Sequence, residues 1–171
     1  ISYAERRANA NGVRACTDHL TQLNDYADSP IFGERIVQMV KDLGVIAQQS
    51  NARESQGLEP TDGIGNVIRG CLALLSEHAH HAAVGEGSLS KATNDRALIP
   101  AVNGFAAEAE VGRKFIAAGH HVTAMGRHIP LGHGQGEKEL DTLVELHGAG
   151  ESKAVIAVEV KANRNALEHA L

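Results

Sequence analysis

Apolar residues along the first half of the chain recur at three- and four-residue spacing, in segments broken by turn-forming residues. "AERRANANGVRACTDHLTQLNDY" comes first, "GERIVQMVKDLGVIAQQ" follows Ser29-Pro30, and "GIGNVIRGCLALLSEHAHHAAV" follows Pro60-Thr61-Asp62-Gly63. That spacing predicts three helices, because positions three and four apart share one helical face. In the second segment Ile36, Val37, Val40, Leu43, Val45 and Ile46 form the stripe. It reads as a packing face, not a site. "VGEGSLSKATNDRALIP", Val84 to Pro100, is polar and ends in proline, which predicts a linker.

Past Pro100 the texture changes. "NGFAAEAEVGRKFIAAGHHV" predicts a helix stopped at Gly119 and a short strand over His121 to Ala124. "MGRHIPLGHGQGEK" reads as a Gly-rich loop, "ELDTLVEL" as a strand, "HGAGES" as a turn, "KAVIAVEV" as a further strand, and "NRNALEHAL" as the start of a last helix. The expected class is α/β or α+β: a helical region over residues 1–95, then a small mixed sheet flanked by helices over residues 96–171.

Composition narrows the choices. The chain has 171 residues and a net charge of -5, and its pI is near 6.0; a general nucleic-acid coat protein would carry a basic footprint instead. No apolar run reaches the roughly 18 to 20 residues that span a bilayer, so no stable membrane insertion is expected. Cys16 and Cys71 have no metal-type spacing and read as buried free thiols, with a disulfide between them left open. Ile1 opens the chain in place of Met, and "SYAERRANANG" lacks a signal peptide's apolar centre, which suggests a piece of a longer protein.

Charged residues on apolar faces raise the chemical question. In "AVIAVEVKAN" strand alternation puts Glu159 and Lys161 on one side and Ile156, Val158 and Val160 on the other. An unpaired buried charge costs several kcal/mol, so the two need an opening, a partner or an ion. On a helical wheel Phe105, Gly112, Phe115 and Ile116 share a face with Glu108 at its middle, while Glu110 falls opposite. In "ELDTLVEL", Leu140, Thr142, Val144 and Leu146 alternate with Glu139, Asp141, Leu143 and Glu145, and a hairpin through "HGAGES" would bring Asp141 toward Glu159 and Lys161. Carboxylates converging beside a lysine suit Mg²⁺-dependent phosphodiester cleavage: oxygen ligands hold the hard cation, and the lysine orients water and offsets phosphoryl charge.

"GFAAEAEVGRKFIAAGHHV", then "ELD", then "VEVK" with its lysine 20 residues after the aspartate, resembles the PD-(D/E)XK nuclease superfamily. Glu108, Asp141, Glu159 and Lys161 match its helix Glu, strand Asp and strand Glu-x-Lys in turn, although no proline precedes Asp141. The resemblance spans Gly104 to Asn163 and implies catalysis by these four residues, with Asp141, Glu159 and Glu108 holding Mg²⁺ or Mn²⁺. The acidic charge and the long N-terminal region look more like the C-terminal nuclease toxin domain of a contact-dependent growth inhibition protein, or another bacterial polymorphic toxin, than like a junction resolvase. That implies surface delivery within a larger protein, action in the cytoplasm of a target cell, and a cognate immunity protein as partner. The expected substrate is tRNA, because a compact folded RNA fits a small local cleft. A DNase of the same superfamily and a non-catalytic binding module on this fold are the alternatives.

Arg113, Lys114, Arg127, Lys138, Lys161 and Arg164 are candidates to line the substrate side, or are simply solvated charges. With only five aromatic residues, two Tyr and three Phe, an exposed base-stacking platform is not expected. His78, His80 and His81 read as helix residues, not a zinc site, and His120, His121, His128 and His133 as loop residues or a general acid near the cleft.

Overall fold

The apolar stripe of the second helical segment forms the spine of the core. A computed structural model describes residues 13–27, 34–84, 88–130, 137–148 and 153–160. Within them lie α1 (Val13–Ala27), α2 (Glu34–Ser55), α3 (Ile64–Val84) and α4 (Ser88–Ala117), followed by β1 (His121–Pro130), β2 (Glu137–Leu146) and β3 (Ala154–Val158). Met39, Val40, Leu43 and Ile46 of α2 are buried in one cluster with Leu23 of α1, Ile64, Ile68 and Leu75 of α3, and Ala106 and Ala109 of α4. Val122, Met125 and Val144 bring the sheet into the same cluster. Helices and sheet thus share a core, which makes the class α+β. Among the described residues no helix is long and apolar enough to cross a membrane.

The predicted linker is replaced by helix. α4 starts at Ser88 and runs through Pro100 to Ala117, so the division expected at residues 95 and 96 falls inside it. Lys91, Ala92, Arg96, Ala97 and Leu98 are strong helix formers. A polar composition marks a solvated segment without saying whether it is coiled. Proline in a helix interior costs about 3 kcal/mol, a penalty that this helix carries. At its other end α4 stops where the sequence predicts. Gly119, at φ 90°, donates its N–H to Ile116 O at 3.0 Å, and His120 N–H reaches Phe115 O at 3.0 Å. These two bonds make a Schellman cap, in which the left-handed residue is ordinarily glycine.

The three strands form an antiparallel meander in the order β1-β2-β3. The hairpin expected between the last two strands is present: Thr142 pairs with Val158, Val144 with Ile156 and Leu146 with Ala154. β1 is longer than its sequence suggests, pairing with β2 from His121↔Glu145 to Pro130↔Glu137 with an irregularity between Val122 and Ala124. It therefore takes in part of the expected Gly-rich loop, and Gly126, at φ 58°, lies within it. Strand alternation along β2 is as expected, with Thr142 and Val144 buried on the helical side and Leu143 and Glu145 half-buried. The expected last helix, from Asn163, lies outside the described residues.

A polar latch fastens the end of α2 and the loop after it to β1. Asp62 N–H donates to Thr123 O at 2.9 Å and Met125 N–H to Asp62 O at 2.8 Å, forming a parallel bridge at Asp62↔Ala124. Buried Thr61 donates its hydroxyl to Val122 O at 2.7 Å and its N–H to Ser50 Oγ at 2.8 Å, while Val122 N–H donates to Gln49 Oε1 at 2.6 Å. Gly63, at φ 82°, passes so close to this strand that a Cβ would collide with Met125 O. The start of β1, which carries the chemistry-bearing His121, is thereby held rigidly against α2.

Candidate functional site

The β2–β3 register determines how the sequence-predicted residues stand to one another. Thr142↔Val158 is the outermost pair of that ladder, and the next position on each strand is Asp141 and Glu159. The two acids are thus neighbours along the backbone, at the end of the sheet away from the β2–β3 turn. Glu159 is exposed. Lys161 lies outside the described residues. Along β2, Asp141 is two positions before Leu143 and four before Glu145.

Glu108 lies on the helical side of the sheet, beside α3. It is half-buried on α4, next to Ala109, which is fully buried. Its carboxylate acts on Cys71 of α3: burial first, and then the Glu108 charge, push the thiol up to about 12. Cys71 is a free, buried cysteine. Glu110 has different surroundings. It pairs with Lys114 at 3.1 Å, and that hydrogen bond and charge hold its carboxyl below the usual range. Both acids are half-buried, Glu108 beside α3 and Glu110 toward α2, and among the described residues Glu108 joins no group of three ligating side chains.

Two of the basic residues expected on the substrate side have other work. Arg113 pairs with Asp42 Oδ1 at 2.7 Å, where the Asp42 side chain is only 2% exposed, and Gln38 donates to the same oxygen at 2.9 Å. Lys114 is held by Glu110. Arg113, Asp42, Gln38 and Glu110 line a cavity of about 390 Å³ between α2 and α4, with Arg35 and Met39. Its ion pairs offset one another, which does not make an anion-binding cleft. Lys161, Arg164 and His133 lie outside the described residues; His78, His80 and His81 fall within α3, and Arg127, His128 and Lys138 within the β1–β2 ladder.

A second cluster lies at the end of the β1–β2 ladder, beside the end of α2. His121 opens β1 opposite Glu145, and His147 follows Glu145 at the next same-side position. One ligand atom from each lies within 4.8 Å of the others. His147 Nε2 is 2.7 Å from Glu145 Oε1, and the rings of His121 and His147 stack with centroids 4.1 Å apart and 24° between planes. Buried Arg53 donates to His121 Nδ1 at 2.8 Å and to Glu59 O at 2.9 Å. Lys153 Nζ stands 3.9 Å from Glu145. Burial lowers the His121 pKa, and the neighbouring His147 and Arg53 lower it further. The sequence reading places Glu145 only as one of the alternating residues of β2 and does not single out His147; their i, i+2 spacing at the end of a strand that finishes opposite His121 of "HH" is the available signal.

Compared with protein-family models, with curated proteins and with solved structures, the chain matches none.

Proposed function

We propose that the chain is a divalent-metal-dependent endonuclease with a PD-(D/E)XK-type core. What supports this reading most is the β2–β3 register, which makes Asp141 and Glu159 successive neighbours beyond the Thr142↔Val158 pair. The helix-strand-strand-strand order from α4 to β3, with Glu108 on the helix, adds to it. Two carboxylates at adjoining strand positions suit a hard cation, and Asp141 and Glu159 would hold Mg²⁺ or Mn²⁺; Glu108, on the helical side near Cys71, is the third ligand that the resemblance implies. A cation there supplies positive charge to the phosphoryl group and acidifies water. Lys161, two residues past Glu159, orients the attacking water and offsets charge on the phosphate oxygens.

The substrate we propose is tRNA, cleaved in a target bacterial cell by a toxin domain that a cognate immunity protein neutralises. The net charge of -5 supports a compact RNA over long duplex DNA, which rewards an extended basic surface. Incubation with total tRNA or supercoiled plasmid, each with Mg²⁺ or EDTA, tests both substrate and metal. Asp141→Ala, Glu159→Gln and Lys161→Ala should each lower cleavage at least about a hundredfold while the protein stays folded. Near-normal turnover in any two would sink the assigned site. Cleavage of plasmid alone would move the assignment to a DNase.

The half-buried position of Glu108 on the helical side favours one rival, a non-catalytic binding module on the same fold. Calorimetry separates the two, since the nuclease binds Mg²⁺ in a way that Asp141→Asn abolishes.

A further inference from the structure

The His121–Glu145–His147 cluster has no part in the proposed cleavage reaction. Glu145 is four residues along β2 from Asp141, or about 13 Å at the strand rise. Its donor set differs as well. Two imidazoles and one carboxylate suit borderline transition-metal ions, whereas Mg²⁺ takes oxygen ligands. We propose that His121, Glu145 and His147 form a second metal site, for Zn²⁺ before other ions, which clamps the start of β1 to the end of β2.

Three protein ligands leave one position of a tetrahedral Zn²⁺ to water. At Zn–N and Zn–O bonds near 2.0–2.1 Å, ligand atoms stand about 3.4 Å apart. The present spread, within 4.8 Å, exceeds that by no more than about 1.4 Å. Backbone pairing already supplies the alignment: His121 and Glu145 are cross-strand partners, and His147 N–H is fixed by His120 Nδ1 at 3.0 Å. The ion takes the place of the hydrogen between His147 Nε2 and Glu145 Oε1, whose proton moves to the ring's other nitrogen.

Arg53 sets the cost of loading the site. Because His121 Nδ1 accepts from the Arg53 guanidinium, the neutral ring carries its proton on Nε2. Zn²⁺ therefore either takes Nδ1 from Arg53 or binds Nε2 after the proton has shifted to Nδ1; both routes break the Arg53 contact. Arg53 retains its bond to Glu59 O, so the loop latch survives the exchange.

Calorimetry on the full chain with Zn²⁺ should give one equivalent bound, accompanied by a rise in Tm, and excess Mg²⁺ should not displace it. Glu145→Gln and His147→Gln should each weaken binding at least about tenfold, while Asp141→Asn leaves it unchanged. Replacing His78, His80 and His81 together by Ala should also leave it unchanged. As a check on the unaltered chain, Co²⁺ should give the intense visible bands of a four-coordinate site. The proposal is overturned if no stoichiometric Zn²⁺ binding occurs, if binding survives both ligand variants, if it is lost with the α3 histidines, or if Co²⁺ shows only weak six-coordinate bands.

Discussion

Glu108 and Glu110 stand two residues apart on α4, both half-buried, and meet different neighbours. Glu108 is turned inward near Cys71, while Glu110 is held at the surface by Lys114. If Glu108 serves the metal, Glu108→Gln should lower cleavage sharply and leave the fold intact. Glu110→Gln should change neither by much, as for most surface substitutions. The reverse pattern in paired cleavage and melting assays would show the four-residue match to be two positions out of register. Thr142 offers a test of the core. Its hydroxyl is buried without a hydrogen-bond partner, and a buried unsatisfied group costs about 1–3 kcal/mol. Thr142→Val keeps the shape and should stabilise by about 1 kcal/mol, read as a higher denaturant midpoint at unchanged slope. Cys71 gives a pH test. Its thiol is pushed from 9.0 up to about 12, so the unfolded chain ionises first. The stabilisation is complete below pH 9.0, is lost as pH rises toward about 12, and should be absent from Cys71→Ala. At pH 8 the native thiol should resist iodoacetamide until the protein is unfolded.

Elements were legible where local chemistry decides them and hidden where distant pairing does. The three N-terminal helices follow from their apolar spacing, and the end of α4 from Gly119. The Asp141 and Glu159 neighbourhood was readable as well, because a short turn after Leu146 leaves few registers for two alternating strands. The length of β1 was not. Arg127, His128 and Pro130 look like loop residues, and only their pairing with Leu140, Glu139 and Glu137 makes them strand. The His121–Glu145–His147 cluster was hidden for the same reason, since it depends on the β1–β2 register. Helix through Pro100 was hidden because a rule of local sequence places a boundary there. The latch on β1 shows how such distant constraints can be tested. Gly63 has positive φ, and any Cβ would strike Met125 O. Gly63→Ala combines backbone strain of about 1–2 kcal/mol with that collision, and should destabilise by about 3 kcal/mol or more. Gly57, also at positive φ but with nothing within 4 Å of a built Cβ, serves as the control: Gly57→Ala should show the strain alone. Equal losses in urea titrations of the two variants would mean that the loop does not press on β1.

For the molecule as a whole, the question is whether the region before Arg96 is a separable unit or part of the core that holds the sheet. Packing argues for the second. Gly112 lies so near α2 that a Cβ would stand 2.7 Å from Ile46 Cδ1 and 3.7 Å from Val122 Cγ2, which makes α2, α4 and β1 meet at one point. Val122, Met125 and Val144, each fully buried, share their cluster with residues of α1, α2 and α3. A chain beginning at Arg96 would keep most of α4 and the sheet but lose every one of those partners. It would expose the apolar residues that those helices cover, and it would lack Gln49 and Thr61, which hold Val122, and Ser50, which accepts from Thr61 N–H. We therefore expect this shortened chain to be poorly soluble, to melt without a sharp transition and to show no metal-dependent cleavage, even though it retains Glu108, Asp141, Glu159 and Lys161. Differential scanning calorimetry with cleavage assays on the same preparation decides the matter. A sharp melting transition together with EDTA-sensitive cleavage would establish the helices as a separable delivery unit, and would mean that the shared core contributes little to holding the sheet in shape.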